Sequence, residues 1–91
     1  MSDRRLLVVQ PSADYAQRVC AQFPGALLVT TPERARQLGG LDVVAADLDR
    51  PASAFEALRS QLRRRGAQPG GITCFVCEHL AVTAFLAERL A

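Results

Sequence analysis

Four short apolar runs recur along this chain, Leu6 to Val9, Ala26 to Thr30, Leu41 to Leu48 and Ile72 to Cys77, and each is followed by a turn and a stretch with helical spacing. Apolar runs this short, bounded by turn formers, read as strands buried on both faces. Strands that alternate with helices have few ways to pack. A strand that returns parallel to its predecessor must cross over right-handed through a helix, and the helices must cover the faces of the sheet. The expectation is a single α/β domain over residues 1–91, with three α/β/α layers around a four-stranded parallel sheet.

The punctuation between the runs agrees. Ser12 is a good N-cap, with Asp14 in the first turn, for a helix running to about Gln22. Tyr15, Val19, Cys20 and Phe23 fall on its apolar side, and Pro24-Gly25 ends it. Thr31 caps a brief helix with Pro32 in its first position, stopped by Gly39-Gly40. Ser53 is placed as the cap of a third helix, about Ala54 to Arg65, with Phe55, Leu58 and Leu62 as its stripe and Gly66 closing it. Ala67 to Gly71, with Pro69-Gly70-Gly71, reads as a loop. In the tail from His79 to Ala91, the spacing of Leu80, Val82, Phe85, Leu86 and Leu90 predicts an amphipathic helix, the alternative being a short final strand at Ala84 to Leu86.

The third run carries the most distinctive chemistry. Leu41 to Leu48 ends on Asp47, with Asp49, Arg50 and Pro51 close behind. It reads as the central strand, delivering an acidic loop to the carboxyl edge of the sheet, where open α/β sheets place ligands and catalytic groups.

On these residues the chain resembles the receiver domains of response regulators. Leu7-Val8-Val9 matches the first strand, Asp42 to Asp47 the third, and Asp47-Leu48-Asp49-Arg50-Pro51 the D-x-x-x-P loop; Thr31 to Ala35 is similar to the start of the family's second helix. The resemblance implies a flavodoxin-like sheet of order 2-1-3-4, with Asp47 at the phosphoacceptor position. It also shows what is missing. The family's magnesium-binding acidic pair is here Gln10 and Pro11, so a hard cation loses most of its ligand charge. The hydroxyl residue after the fourth strand is displaced by Cys77-Glu78, and no lysine exists to hold a phosphoryl group, a role arginine does not reproduce as a point charge. The resemblance therefore implies a degenerate, C-terminally shortened receiver, lacking a normal fifth βα unit, in which Asp47 is vestigial.

Other chemistries are weighed on their residues. Cys74-Phe75-Val76-Cys77-Glu78-His79 offers two thiols and one imidazole, short of the four ligands of a structural zinc site. On a strand the two thiols also point to opposite faces. Cys74, Cys77 and His79 stay as weak metal or redox candidates, and no cofactor is expected. No glycine-rich phosphate loop follows the first strand. From Asp42 onward the chain also resembles an anti-sigma-factor-antagonist-type domain, with Ser53 as the regulatory serine, though the first half fits that fold poorly. All eleven basic residues are arginine, yet a net charge of +2 does not argue for nucleic acid. The one dense cluster, Arg63-Arg64-Arg65, suits a helix C-terminus. No run approaches a membrane span, and three cysteines do not suggest a disulfide framework.

The functional expectation is a non-enzymatic, phosphorylation-independent interaction module in a bacterial cytoplasm. Its contacts would come from Asp49, Arg50 and Pro51, the fourth strand, and Leu80, Phe85 and Leu86 of the tail helix. A fourth strand left at the sheet edge invites pairing, so a homodimer or an unidentified protein partner is expected.

Overall fold

The computed structural model describes residues 3–74 and 79–90. Eight elements alternate through the described residues: β1 (Asp3–Val9), α1 (Ala13–Gln22), β2 (Leu27–Thr30), α2 (Pro32–Gln37), β3 (Val43–Ala45), α3 (Pro51–Arg65), β4 (Ala67–Cys74) and α4 (Leu80–Leu90). The four strands form one sheet, and every pairing in it is parallel. The fold class is the expected one, an α/β protein with a four-stranded parallel sheet between two helical layers.

The layers follow from strand alternation. Leu7 and Val9 of β1 and Leu27 and Val29 of β2 point to one face, where they meet Leu58 and Leu62 of α3 and Val82 and Leu86 of α4. Val8 and Leu28 point to the other, where Ala16 and Val19 of α1 and Leu38 after α2 cover them. β1 and β2 are buried on both faces, which is why they read as unbroken apolar runs.

The order of strands is β3-β2-β1-β4, whereas the receiver resemblance implied 2-1-3-4. β3 is not central. Among the described residues it pairs only with β2, from Leu28–Val43 to Thr30–Ala45, and forms an edge of three residues. The chain steps outward from β1 through β2 to β3, then α3 carries it back across the sheet to β4 on the far side of β1. The switch in direction therefore lies between β1 and β4.

The caps of α1 and α2 are as the sequence indicates. The Ser12 hydroxyl accepts from the Tyr15 amide at 3.3 Å, and the Thr31 hydroxyl from the Arg34 amide at 3.4 Å. Gly66 closes α3 in the left-handed conformation, at φ 62°. Ser53 does not cap α3. The helix begins at Pro51, whose fixed φ suits its first position, and Arg50 precedes it without a side-chain cap. β4 starts at Ala67, so the segment expected as a loop is strand. Pro69 is tolerated because β4 is an edge. The pairing slips between Arg5–Pro69 and Leu6–Gly71, leaving Gly70 as an extra residue. A Cβ at Gly70 would lie 3.2 Å from the Arg4 Cβ and 3.4 Å from the Arg5 amide nitrogen. The tail is a helix, not a strand.

Candidate interaction surface

Asp47 lies just beyond β3, on the outer strand of the sheet. Its side chain is 51% exposed, and its Oδ1 accepts from the Asp49 amide at 3.1 Å. The Arg50 Nε stands 3.7 Å from Oδ2, and the Arg50 amide donates to the Asp47 carbonyl at 3.1 Å. The carboxylate thus closes its own turn, an Asx turn that leads the chain into α3. Asp49 and Arg50 are exposed and Pro51 is half-buried. β2 separates this loop from β1, so Asp47 does not face the end of β1 as the resemblance required.

The end of β1 is already committed. Gln10 takes a left-handed backbone, φ 49°, which is uncommon for a residue with a side chain. Its carboxamide is spent on Thr31, the residue that follows β2 and caps α2. Oε1 accepts from the Thr31 amide at 3.0 Å, and Nε2 donates to the Thr31 hydroxyl at 3.3 Å. The Pro11 carbonyl accepts from the Arg34 guanidinium at 3.0 Å. Where a receiver would hold a divalent cation, this chain places an amide locked to its neighbour and an arginine. A cation there would lack anionic oxygen ligands and meet a positive charge.

β4 and α4 form the opposite edge of the molecule. β4 pairs with β1 on one side and with no strand on the other among the described residues. Between its open edge and the end of α4 runs a groove of about 360 Å³, lined by Pro69, Gly70, Gly71, Ile72, Ala87 and Leu90. Of the tail residues expected on a contact surface, Leu80 is 61% exposed. Phe85 is half-buried under the Arg89 guanidinium, 4.9 Å from its ring centroid. Leu86 is not available to a partner, because it is fully buried against the sheet. Leu86 lies on the apolar stripe that the spacing indicates, but that stripe packs on the sheet instead of facing a partner. The loop at Asp47 and the surface at β4 sit at opposite edges, three strand spacings of about 4.8 Å apart. They do not form one surface.

Cys74 is the last residue of β4, half-buried and a free thiol, as is Cys20 on α1. Burial, and secondarily the Asp42 charge, push the Cys20 thiol above its ordinary value. Cys77 lies outside the described residues. His79 is half-buried, and its carbonyl accepts from the Thr83 hydroxyl at 2.7 Å. Among the described residues no three His, Cys, Asp or Glu side chains cluster as a metal site.

The most organised polar cluster is one the sequence reading missed, and it lies at the amino edge. Asp42, just before β3, takes the Arg5 guanidinium of β1 at 2.6 Å on Oδ2 and the Arg65 guanidinium of α3 at 2.6 Å on Oδ1. The Arg65 Nη1 also donates to Oε1 of Gln61 at 2.6 Å. The hydrogen bond from Arg65 is the main reason the Asp42 carboxyl sits below the ordinary carboxylate range, with Arg5 adding to it against a desolvation penalty. The partners lie 37 and 23 residues away, so no local pattern marks them.

Among the described residues no helix is long and apolar enough to cross a membrane. Comparison with protein-family models, curated proteins and solved structures finds no match to this chain.

Proposed function

We propose that this domain works by protein–protein contact, without phosphoryl transfer, and that its working surface is the open edge of β4 with the adjoining groove beside α4. The observation that carries the reading is the unpaired edge itself. Along an eight-residue strand, alternate N–H and C=O groups turn away from β1 toward an apolar groove, an arrangement that accepts an added strand. Pro69, which has no N–H to offer, and the extra residue at Gly70 interrupt one end of the edge, a common guard against indiscriminate pairing. The setting of Asp47 supports the absence of phosphoryl transfer. Its carboxylate is used by its own turn, and Arg34 stands at the end of β1 in place of a metal. A reducing compartment such as the bacterial cytoplasm fits the free thiols of Cys20 and Cys74.

The test has two arms. Incubation with acetyl phosphate and magnesium, read by intact mass, is expected to leave the chain unmodified, with Asp47→Asn indistinguishable from wild type. A phosphoryl adduct that Asp47→Asn abolishes would overturn the phosphorylation-independent part. Amide chemical shifts recorded with strand-forming peptides are expected to move along 67–74 and in α4, and silence of that edge with every peptide, in a protein that light scattering shows to be monomeric, would overturn the choice of surface. Self-association through the same edge is the competing form of this reading, and light scattering across a concentration series decides it.

A further inference from the structure

We propose that the occupant of the β4 edge is a second copy of this chain, paired antiparallel across a twofold axis so that Leu80 of each copy seats in the groove of the other; this rests on the interaction reading above and chooses between its two forms. Charge is the first reason. Of the 11 arginines and 9 acidic residues, only Glu78, Glu88 and Arg89 lie beyond Gly66. β4 carries no charged residue. Glu88 and Arg89 belong to the last turn of α4, and neither lines the groove. Edge strands that stay open are ordinarily guarded by charge. Here Pro69 and Gly70 guard only the amino end, and no charge guards Gly71 to Cys74. A twofold contact sets a surface against itself, so a net charge on it would meet its like. A flank lined without charge meets its own copy without repulsion. A charged partner would find no counter-charge along it.

Shape is the second reason. Ala87 and Leu90, near the end of α4, lie beside Pro69 to Ile72, in the first part of β4, so the helix runs back along the strand. The groove therefore sits at one end of the flank, and Leu80 stands toward the other. Leu80 precedes Ala87 by two helical turns, which puts both on the same face of α4, about 10 Å apart along its axis. That is the length of about three strand residues. Leu80 is 61% exposed, more than any other large apolar side chain among the described residues. A twofold axis through Ile72, normal to the sheet, sets β4 against β4 and joins the two four-stranded sheets into one. The same axis exchanges the ends of the flank. The end of each copy that carries Leu80 comes to the end of the other that carries the groove, so one contact is made twice. The groove, about 360 Å³ with Ile72, Ala87 and Leu90 in its wall, has room for a leucine side chain. Pro69 then falls at the limit of the ladder between copies, where its missing N–H costs no pairing.

The experiment uses the full chain in reducing buffer and reads mass by light scattering over a concentration series. Wild type is expected to rise from 9.8 kDa toward twice that value. Leu80→Glu drives a charge into the apolar groove of the other copy and is expected to weaken the dimer about tenfold or more. Leu80 is exposed, and an acidic residue in the first turn suits the helix dipole, so the fold is kept. Ala87→Arg, in the groove wall, is expected to weaken the dimer likewise. Circular dichroism checks that both variants are folded. Mixed one to one, they are expected to recover the dimer. The new carboxylate of one then meets the new guanidinium of the other, and the second contact is wild type. Leu80→Glu that dimerises as wild type does, or a mixture of folded variants that stays monomeric, overturns the proposal. If wild type is monomeric throughout and a short peptide alternating Val with Thr moves the amides of residues 67–74, the second copy is wrong while the interaction reading stands. If wild type is monomeric and that peptide moves nothing along β4, both fall.

Discussion

Asp42 and Asp47 are separated by one short strand, and their surroundings give them opposite roles. Asp47 holds a local turn in solvent, whereas Asp42 ties β1, β3 and α3 together through two guanidinium groups. Asp42→Asn keeps the shape and removes the charge. The expected cost is about 1–2 kcal/mol at neutral pH, the scale of charge-assisted hydrogen bonds reduced because the carboxylate is 39% exposed. Asp47→Asn should stay within about 0.5 kcal/mol of wild type, as exposed substitutions usually do. The pH dependence has a definite sign. Asp42 titrates lower in the folded protein than its ordinary value of 3.8, so the folded state holds fewer protons. The stabilisation is present in full above that value and is lost as pH falls through the lowered folded value. Urea unfolding of wild type and Asp42→Asn should therefore show a gap at neutral pH that narrows below about pH 4. A gap that persists unchanged in acid would mean the charge is not its source. Arg5 and Arg65 could not be picked out beforehand, since the partners meet only once β1 and α3 are placed around β3.

At the scale of elements, what can be read from the sequence is what local chemistry decides. Ser12, Thr31-Pro32 and Gly66 mark helix ends because their hydroxyls, fixed φ or left-handed tolerance act within one turn of chain. Ser53 has the right chemistry but comes second to Pro51, which starts α3 two residues earlier. β4 is harder to read. Pro69-Gly70-Gly71 looks like a turn, but parallel pairing with β1 draws it into the sheet, with Gly70 as the residue that lets the two backbones close. Gly70→Val forces a branched side chain against Arg4 and Arg5. It is expected to cost about 1–3 kcal/mol and to lower the Tm accordingly. Gly39, where an added Cβ meets nothing within 4 Å, is the control, and Gly39→Ala should be near neutral. Equal losses at the two sites would show that Gly70 is not a close approach.

For the molecule as a whole, the sequence reveals four strands and their direction but not their order. Order is set by which strands can accept burial on both faces, and the side chains carry a weak signal of it. β1 and β2 offer Leu7-Val8-Val9 and Leu27-Leu28-Val29, all fully buried. The third run offers Val43-Val44 and then Ala45-Ala46, with Ala45 exposed and too small to fill two layers. Bulk alone would have put β3 at the edge; the acidic loop after it drew the resemblance to the centre. The consequence is a gradient of local stability across the sheet. Amides of β1 and β2 are paired on both sides beneath helices, and opening them requires unfolding the whole core, so their hydrogen exchange should follow the global unfolding free energy. β3, with three residues and one neighbour, should exchange by local opening. β4 distinguishes two forms of the protein. Left open, its outward amides should exchange far faster than those of β1, and adding a strand-forming peptide that binds the edge should slow them selectively. Outward β4 amides as slow as those of β1 without peptide would mean that a second copy covers the edge. The same exchange map tests the strand order, because a central β3 would be as protected as β2.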